Sequence, residues 1–435
     1  MSSVALVIFY VVVIVVDGLL HLYLWKRLVH DTMRRGWPRR IGTAVAILLA
    51  ALLPATMIVS RSGRIGELAW FGFLWLALMF YLFVILLALE VPRLVLDALG
   101  HAVALPSRWK RRAGRAADLP TRQPVTVPAD STFDAGNRAE GVGSAPATIM
   151  TDLPSPRRTG DANVDRRLVL ARGAAIFAGL TAASITGYGV RTALGPPQLD
   201  RVQIPLAKLP RALDGTRLAV VSDIHLGPLA GSHHVGRIVD LINSVNADIV
   251  CVVGDLVDGS VAELGRFAQP LSRIQSKQGA YFVTGNHEYY SGFQQWVDEV
   301  ARLGVRPLRN ERVPLGGLDL AGVNDLGGAD FGDPADFGKA LGDRDRSRPV
   351  VLMAHQPVAA HHAAPYGVDL QVSGHTHGGQ IVPFNLVVRM QQPIVSGLGH
   401  VDGMPVYVTN GAGFWGPPVR VGAPPQVTVI DLRTP

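Results

Sequence analysis

The spacing of apolar residues divides this chain into two halves. In the first, three nearly uninterrupted apolar stretches at 4–25, 41–59 and 66–89 each approach the ~20 residues that carry a helix across a bilayer. A secretory signal is a single stretch, so three of them predict membrane helices, a transmembrane region over 1–99. A fourth stretch, 173–190, mixes Gly, Ser and Thr with its apolar residues. In the second half the apolar runs shorten to strand length, at 218–221, 249–253, 281–283, 350–353 and 370–372. Between the first two, Val235, Ile238, Val239, Ile242 and Val245 recur at helical spacing, as do Phe293, Trp296, Val297, Val300 and Leu303 after the third. This alternation predicts a layered α/β domain over 200–435, with its site at the carboxyl ends of the strands.

Each short run is followed within a few residues by histidine, carboxylate or amide side chains. Asp223 and His225 follow the first, Asp255 and Asp258 the second, Asn286, His287 and Glu288 the third, His355 the fourth, and His375 and His377 the fifth. A pair of divalent cations roughly 3.5–4 Å apart needs such a set of hard and borderline ligands, converging from several strands with one carboxylate between the metals. The five blocks supply it.

The blocks read D-x-H (223–225), G-D-x-x-D (254–258), G-N-H-E (285–288), H (355) and G-H-x-H (374–377). In this order, without substitution, the segment from about 218 to 432 resembles the calcineurin-like metallophosphoesterases, specifically a bacterial membrane-anchored subgroup. The resemblance implies a four-layer sandwich, two β-sheets flanked by helices. It implies that Asp223, His225 and His377 hold one divalent metal, that Asn286, His355 and His375 hold the other, and that Asp255 bridges them. The metals would come from Mn, Fe, Zn, Mg or Ni. Neutral imidazoles and one amide keep such a site from becoming too negative for a phosphate ester to enter. A hydroxide shared by the metals attacks phosphorus, so no protein nucleophile is needed. His287 matches the family histidine that stays off the metals and protonates the leaving oxygen, and Asp258 matches the carboxylate that orients it. The expected function is hydrolysis of phosphate esters, diesters ahead of monoesters. The alternative is a non-catalytic membrane receptor for a phosphorylated ligand, which has no use for a paired acid such as Asp258 and His287.

Other residues are read more plainly. The doublets His233-His234 and His361-His362 lie in helical-looking stretches and are expected at the surface. Gly378-Gly379 allows backbone geometry that lets His375 and His377 reach different metals. Arg420, beyond Gly411-Ala-Gly413 and Phe414-Trp415, is either a grip for a phosphate oxygen or a solvated loop cation. The lone Cys251 is expected in the core, and Asp17 with His21 at the cytoplasmic interface of the first helix.

Charge placement sets the expected topology. Lys26, Arg27, Arg34, Arg35, Arg39 and Arg40 follow the first stretch, and Arg93, Arg108, Lys110, Arg111, Arg112 and Arg115 follow the third. The link between the second and third has only Arg61 and Arg64. The basic loops are therefore expected in the cytoplasm and the amino terminus outside. Residues 100–165, rich in Pro, Ala, Arg, Asp, Gly and Thr, read as a disordered basic cytoplasmic linker whose Arg108 to Arg115 cluster meets anionic headgroups. Residues 166–192 are a fourth crossing or a twin-arginine-like segment around Arg166-Arg167, and either puts the catalytic domain outside the cytoplasm. The net charge of +7 comes largely from these loops, so no nucleic-acid partner is expected. The expected partners are the membrane and a phosphoester, of lipid or envelope type if tethering restricts the search.

Overall fold

The computed structural model describes residues 3–60, 66–115, 159–227 and 229–435. Four long helices come first: α1 (Ser3–Trp25), α2 (Trp37–Ser60), α3 (Gly66–Arg115) and α4 (Thr159–Leu194). Among the described residues three segments are long and apolar enough to cross a membrane: Trp37–Met57, Ala69–Pro92 and Arg167–Leu194. Ala178 and Ala182 on α4 are fully buried beside Met79, Leu82 and Leu86 of α3, because small side chains let helices pack closely without aqueous hydrophobic drive.

Two expectations change here. Residues 100–115, read as linker, continue α3, and 159–165 open α4, while 116–158 lie outside the described residues. The added turns are dominated by Ala, Leu, Arg and Lys, which favour helix without any apolar stripe, so periodicity does not report them. Asp17 and His21 turn into the helix bundle. Both are buried, and His21 accepts a hydrogen bond at Nε2 from Trp75 Nε1 of α3 at 3.0 Å. That partner inside the bundle replaces the water they would otherwise seek.

The remaining chain forms two six-stranded mixed sheets. The first runs β1 (Gln198–Pro205), β12 (Gln426–Arg433), β2 (Arg217–Val221), β3 (Ile249–Val253), β4 (Ala280–Val283) and β5 (Arg306–Pro307). The second runs β10 (Gly397–Val401), β11 (Met404–Val408), β9 (Leu370–Ser373), β8 (Val350–Met353), β7 (Leu318–Gly322) and β6 (Glu311–Leu315). β2, β3 and β4 pair in parallel, as do β7, β8 and β9. Parallel strands buried on both faces read as continuous apolar runs, and this is why 249–253 shows no alternation.

The helices α5 (Ser232–Ser244), α6 (Val261–Ala268) and α8 (Phe293–Arg302) cover the outer face of the first sheet, and α7 (Asn286–Tyr290) precedes the last of them. Trp296 of α8 is fully buried there and donates Nε1 to the Gly259 carbonyl at 2.8 Å. A second apolar layer lies between the sheets, where Val220, Cys251, Val283, Met353 and Val372 meet. Cys251 is a core residue as expected, its thiol pushed up to about 12 by burial. A third layer, with Leu352, Ala360 and Val406, lies outside the second sheet. The expected four layers are present.

Candidate metal centre

Each of the five blocks begins where a strand ends. Asp223 stands two residues past β2, Asp255 two past β3, Asn286 three past β4, His355 two past β8 and His375 two past β9. Three come from one sheet and two from the other, so the carboxyl ends of both sheets face a common cleft. The backbone is strained there. Asp223, His225, Asp255, His375 and His377 all have φ between +47° and +70°, the left-handed region that side chains with a Cβ avoid. Each such residue costs of order 1–3 kcal/mol and persists only where the surroundings impose it.

The imposed geometry gathers the side chains into two groups. Asp223, His225 and His377 each offer a ligand atom, all within 4.8 Å of one another, and Asp255, His355 and His375 do the same. Asp255 lies between them, with its Oδ2 3.1 Å from His355 Nε2 and 3.9 Å from His225 Nε2. Asn286 stands at the same end of the first sheet, three residues past β4. Its Oδ1 is buried with no hydrogen-bond partner, a state that costs free energy unless a cation fills it. That orphaned oxygen, beside five imidazole and carboxylate ligands in strained backbone, fits a divalent-metal site.

Neighbouring groups fix which ring nitrogen faces inward. His225 directs Nδ1 to Asp258 Oδ1 at 2.8 Å and His355 directs Nδ1 to the Val253 carbonyl at 2.8 Å, so each turns Nε2 to the centre. Burial and the Arg420 guanidinium hold His377 well below the usual imidazole range, and burial with the neighbouring His355 pushes His375 down to about 3. Both therefore favour the neutral ring, the form that ligates a metal, whereas Asp255 outweighs burial at His355 and raises it well above the usual imidazole range.

His287 sits at the edge of this centre. Burial opposes its charge, but Asp255 and Asp258 outweigh burial and raise it to about 9. Its Nδ1 lies 2.7 Å from Asp258 Oδ1, the same oxygen that His225 uses. Asp258, opposed by burial, is held well below the ordinary carboxylate range by those two imidazoles. The pair therefore favours a proton on His287.

Several residues hold the loops of the centre together. Glu288 is fully buried and accepts backbone N–H bonds from Asp255 at 3.0 Å, Leu256 at 2.7 Å and Gly285 at 2.6 Å, clamping the second block to the third. Arg420 satisfies neither of its two expected roles. It is fully buried and donates to the carbonyls of Gly413, His377 and Asn410, with Nη2 3.1 Å from His377 Nδ1. A guanidinium surrounded by carbonyls cannot reach a phosphate, and its five donors suit joining loops. His234 also departs from expectation: it is buried under Phe414, while His233, His361 and His362 are exposed. Gly378 and Gly379, at φ +63° and +85°, leave no room for a Cβ against Asn410 and Asn385.

The calcineurin-like phosphoesterase family profile matches residues 216–379, the stretch that carries all five blocks. A metallophosphoesterase of Helicobacter pylori is 37% identical over 255 residues, covering 57% of this chain and 68% of that protein. The chain belongs to the calcineurin-like metallophosphoesterase family. A transmembrane protein with metallophosphoesterase domain from Danio rerio is 36% identical over 272 residues, covering 59% of this chain and 62% of its own length. A metallophosphoesterase of Aquifex aeolicus is 33% identical over 243 residues, covering 54% of this chain and 92% of that protein. The chain thus carries a calcineurin-like phosphoesterase domain with membrane-length helices ahead of it, and it spans about two thirds or less of the length of the transmembrane relatives it matches.

Proposed function

We propose that this metallophosphoesterase is a membrane-anchored binuclear phosphodiesterase whose catalytic domain lies outside the cytoplasm. The observation that carries the binuclear reading is that Asp223, His225 and His377 form one ligand group and Asp255, His355 and His375 another, with Asp255 Oδ2 reaching toward both and the Asn286 oxygen buried without a hydrogen-bond partner. Asp223, His225 and His377 would hold one cation, Asn286, His355 and His375 the other, and Asp255 both. Two such cations supply an activated water and neutralise charge on the phosphoryl oxygens. His287 Nε2 gives its proton to the leaving oxygen, and Asp258 holds the ring in place and charged for that transfer.

A diester, with one negative charge, suits this site better than a monoester dianion. Arg420, the cation that follows Gly411-Ala-Gly413 most closely in sequence, is committed to backbone carbonyls and offers no guanidinium to the second charge of a monoester. A receptor without turnover would not need a charged imidazole paired with a carboxylate.

The test is hydrolysis of bis-p-nitrophenyl phosphate by the full chain in detergent with Mn²⁺, beside p-nitrophenyl phosphate. Asp255→Asn is expected to abolish turnover, and His287→Asn to lower kcat by about 100- to 10,000-fold. Turnover that survives chelation, or that is indifferent to both substitutions, would exclude the reading. Preference for the monoester would exclude the diesterase assignment alone.

A further inference from the structure

Resting on that reading, we infer that the active-site rim is itself embedded in the bilayer and that the substrate is a membrane-resident amphiphile with its phosphoester at headgroup level. The segment directly after His377 carries this. Residues 381–390 place Val382, Phe384, Leu386, Val387 and Met390 outward, with Leu386 61% and Met390 85% exposed. A soluble domain seldom presents such a run beside its catalytic centre.

The helices show what covers it. Ile381 and Val421 pack against the helix cluster that includes Met79, Leu82 and Ala182. The Phe384 ring meets Phe80 of α3 edge-on at 6.5 Å between centroids. Near the start of the same apolar span, Phe73 lies against Gly416, where an added Cβ would stand 3.7 Å from its ring. Phe80 is seven residues further along α3, about 10 Å deeper at the rise of an α-helix. The 381–390 segment therefore continues an apolar interface that starts at the edge of the Ala69–Pro92 span and descends along it. Its uncovered side chains face the medium that surrounds that helix, which is hydrocarbon. Arg389, exposed within the segment, is placed for anionic headgroups.

The wedge and the catalytic mouth are one rigid piece. Gly379 packs directly on Asn385, and Gln380 donates Nε2 to the Trp415 carbonyl at 2.9 Å while its Oε1 accepts from Trp415 N at 3.0 Å. The Trp415 ring stands edge-on to His287 at 5.9 Å and is itself 57% exposed, and Tyr290 flanks His287 at 5.8 Å. A leaving group protonated by His287 departs past exposed aromatic rings toward the bilayer. Apolar chains fit that exit, and a fully hydrated leaving group gains nothing from it.

The experiment uses the full chain in nanodiscs of phosphatidylethanolamine and phosphatidylglycerol. Cys251 is buried, so Met390→Cys provides a selective site for an environment-sensitive fluorophore, with Lys277→Cys, at the amino ends of the strands, as the aqueous control. The label at 390 is expected to show blue-shifted emission quenched by lipids bearing a doxyl group near the head of the acyl chain, and the label at 277 is not. This readout does not depend on turnover. In the same discs, kcat/KM for methyl alkyl phosphodiesters, followed by release of the alkyl alcohol, is expected to rise with chain length, and Leu386→Glu or Met390→Glu to lower the long-to-short ratio by about tenfold. An unquenched label at 390 overturns the membrane wedge, and quenching without chain-length dependence overturns the amphiphilic substrate. Hydrolysis of neither long nor short ester instead removes the phosphoesterase reading beneath them.

Discussion

His234 shows how one side chain couples pH to stability in this molecule. It lies in the first turn of α5, its ring 6.3 Å from Phe414, and Arg237 Nη2 approaches its Nδ1 at 3.4 Å. Burial first, and the Arg237 guanidinium second, push it from 6.5 down to about 4. The folded state thus binds a proton less readily than the unfolded one. The stability this residue allows is complete above pH 6.5 and is lost as pH falls from 6.5 toward 4, up to about 3 kcal/mol. Thermal melts of wild type and His234→Gln across that window should diverge, the variant losing less on acidification, and parallel curves would refute the assignment. Little of this is visible in sequence, although His234 stands four residues before Ile238 on the apolar stripe of α5. The seven proposed metal ligands were legible for the opposite reason: binding two cations demands particular residue types at strand ends, whereas burial beneath Phe414, 180 positions away, is a property of the tertiary fold alone.

Elements were legible where their periodicity was strong and illegible where loops do the joining. The five short apolar runs became β2, β3, β4, β8 and β9, since buried parallel strands have to be apolar on both faces. Nothing in their composition says that β12 inserts between β1 and β2, so the pairing within each sheet stayed out of reach. The loop after β9 and the loop after β11 are joined by Arg420, which donates to Asn410 O at 2.9 Å and His377 O at 2.7 Å. Removing the guanidinium leaves buried carbonyls unpaired, at about 1–3 kcal/mol each, and releases the loop that carries His377. Arg420→Lys keeps the charge but lacks the fork, so it separates electrostatics from geometry. We expect both Arg420→Lys and Arg420→Met to raise the Mn²⁺ concentration for half-maximal turnover by about 10- to 100-fold. A lower melting temperature with an unchanged metal requirement would confine Arg420 to a purely structural role.

At the scale of the whole molecule, the helices present different chemistry at their two ends. At one end Lys26 pairs with Asp31 at 2.8 Å, Arg27 pairs with Glu90 near the end of the α3 span, and Arg172 Nε donates to the Thr32 carbonyl at 3.0 Å near the start of the α4 span. At the other end Phe73 meets Gly416 and Gly189 meets Val419, so the catalytic loops dock there. The basic cluster and the catalytic domain therefore occupy opposite ends of one bundle. Cations next to membrane spans are retained on the cytoplasmic side. If that rule holds here, the same packing that seats the metal centre on α3 and α4 carries it across the membrane. A phosphatase reporter fused at the carboxyl terminus should be active and a fluorescent protein at the same point dark when exported unfolded, while a fusion in the 26–40 loop should behave the other way. Replacing Arg34, Arg35, Arg39 and Arg40 with Gln should weaken that asymmetry and produce mixed reporter signals. A carboxyl-terminal reporter confined to the cytoplasm would mean that the bundle is inverted, with its basic end outside, and the phosphoesters within reach would then be those of the inner leaflet.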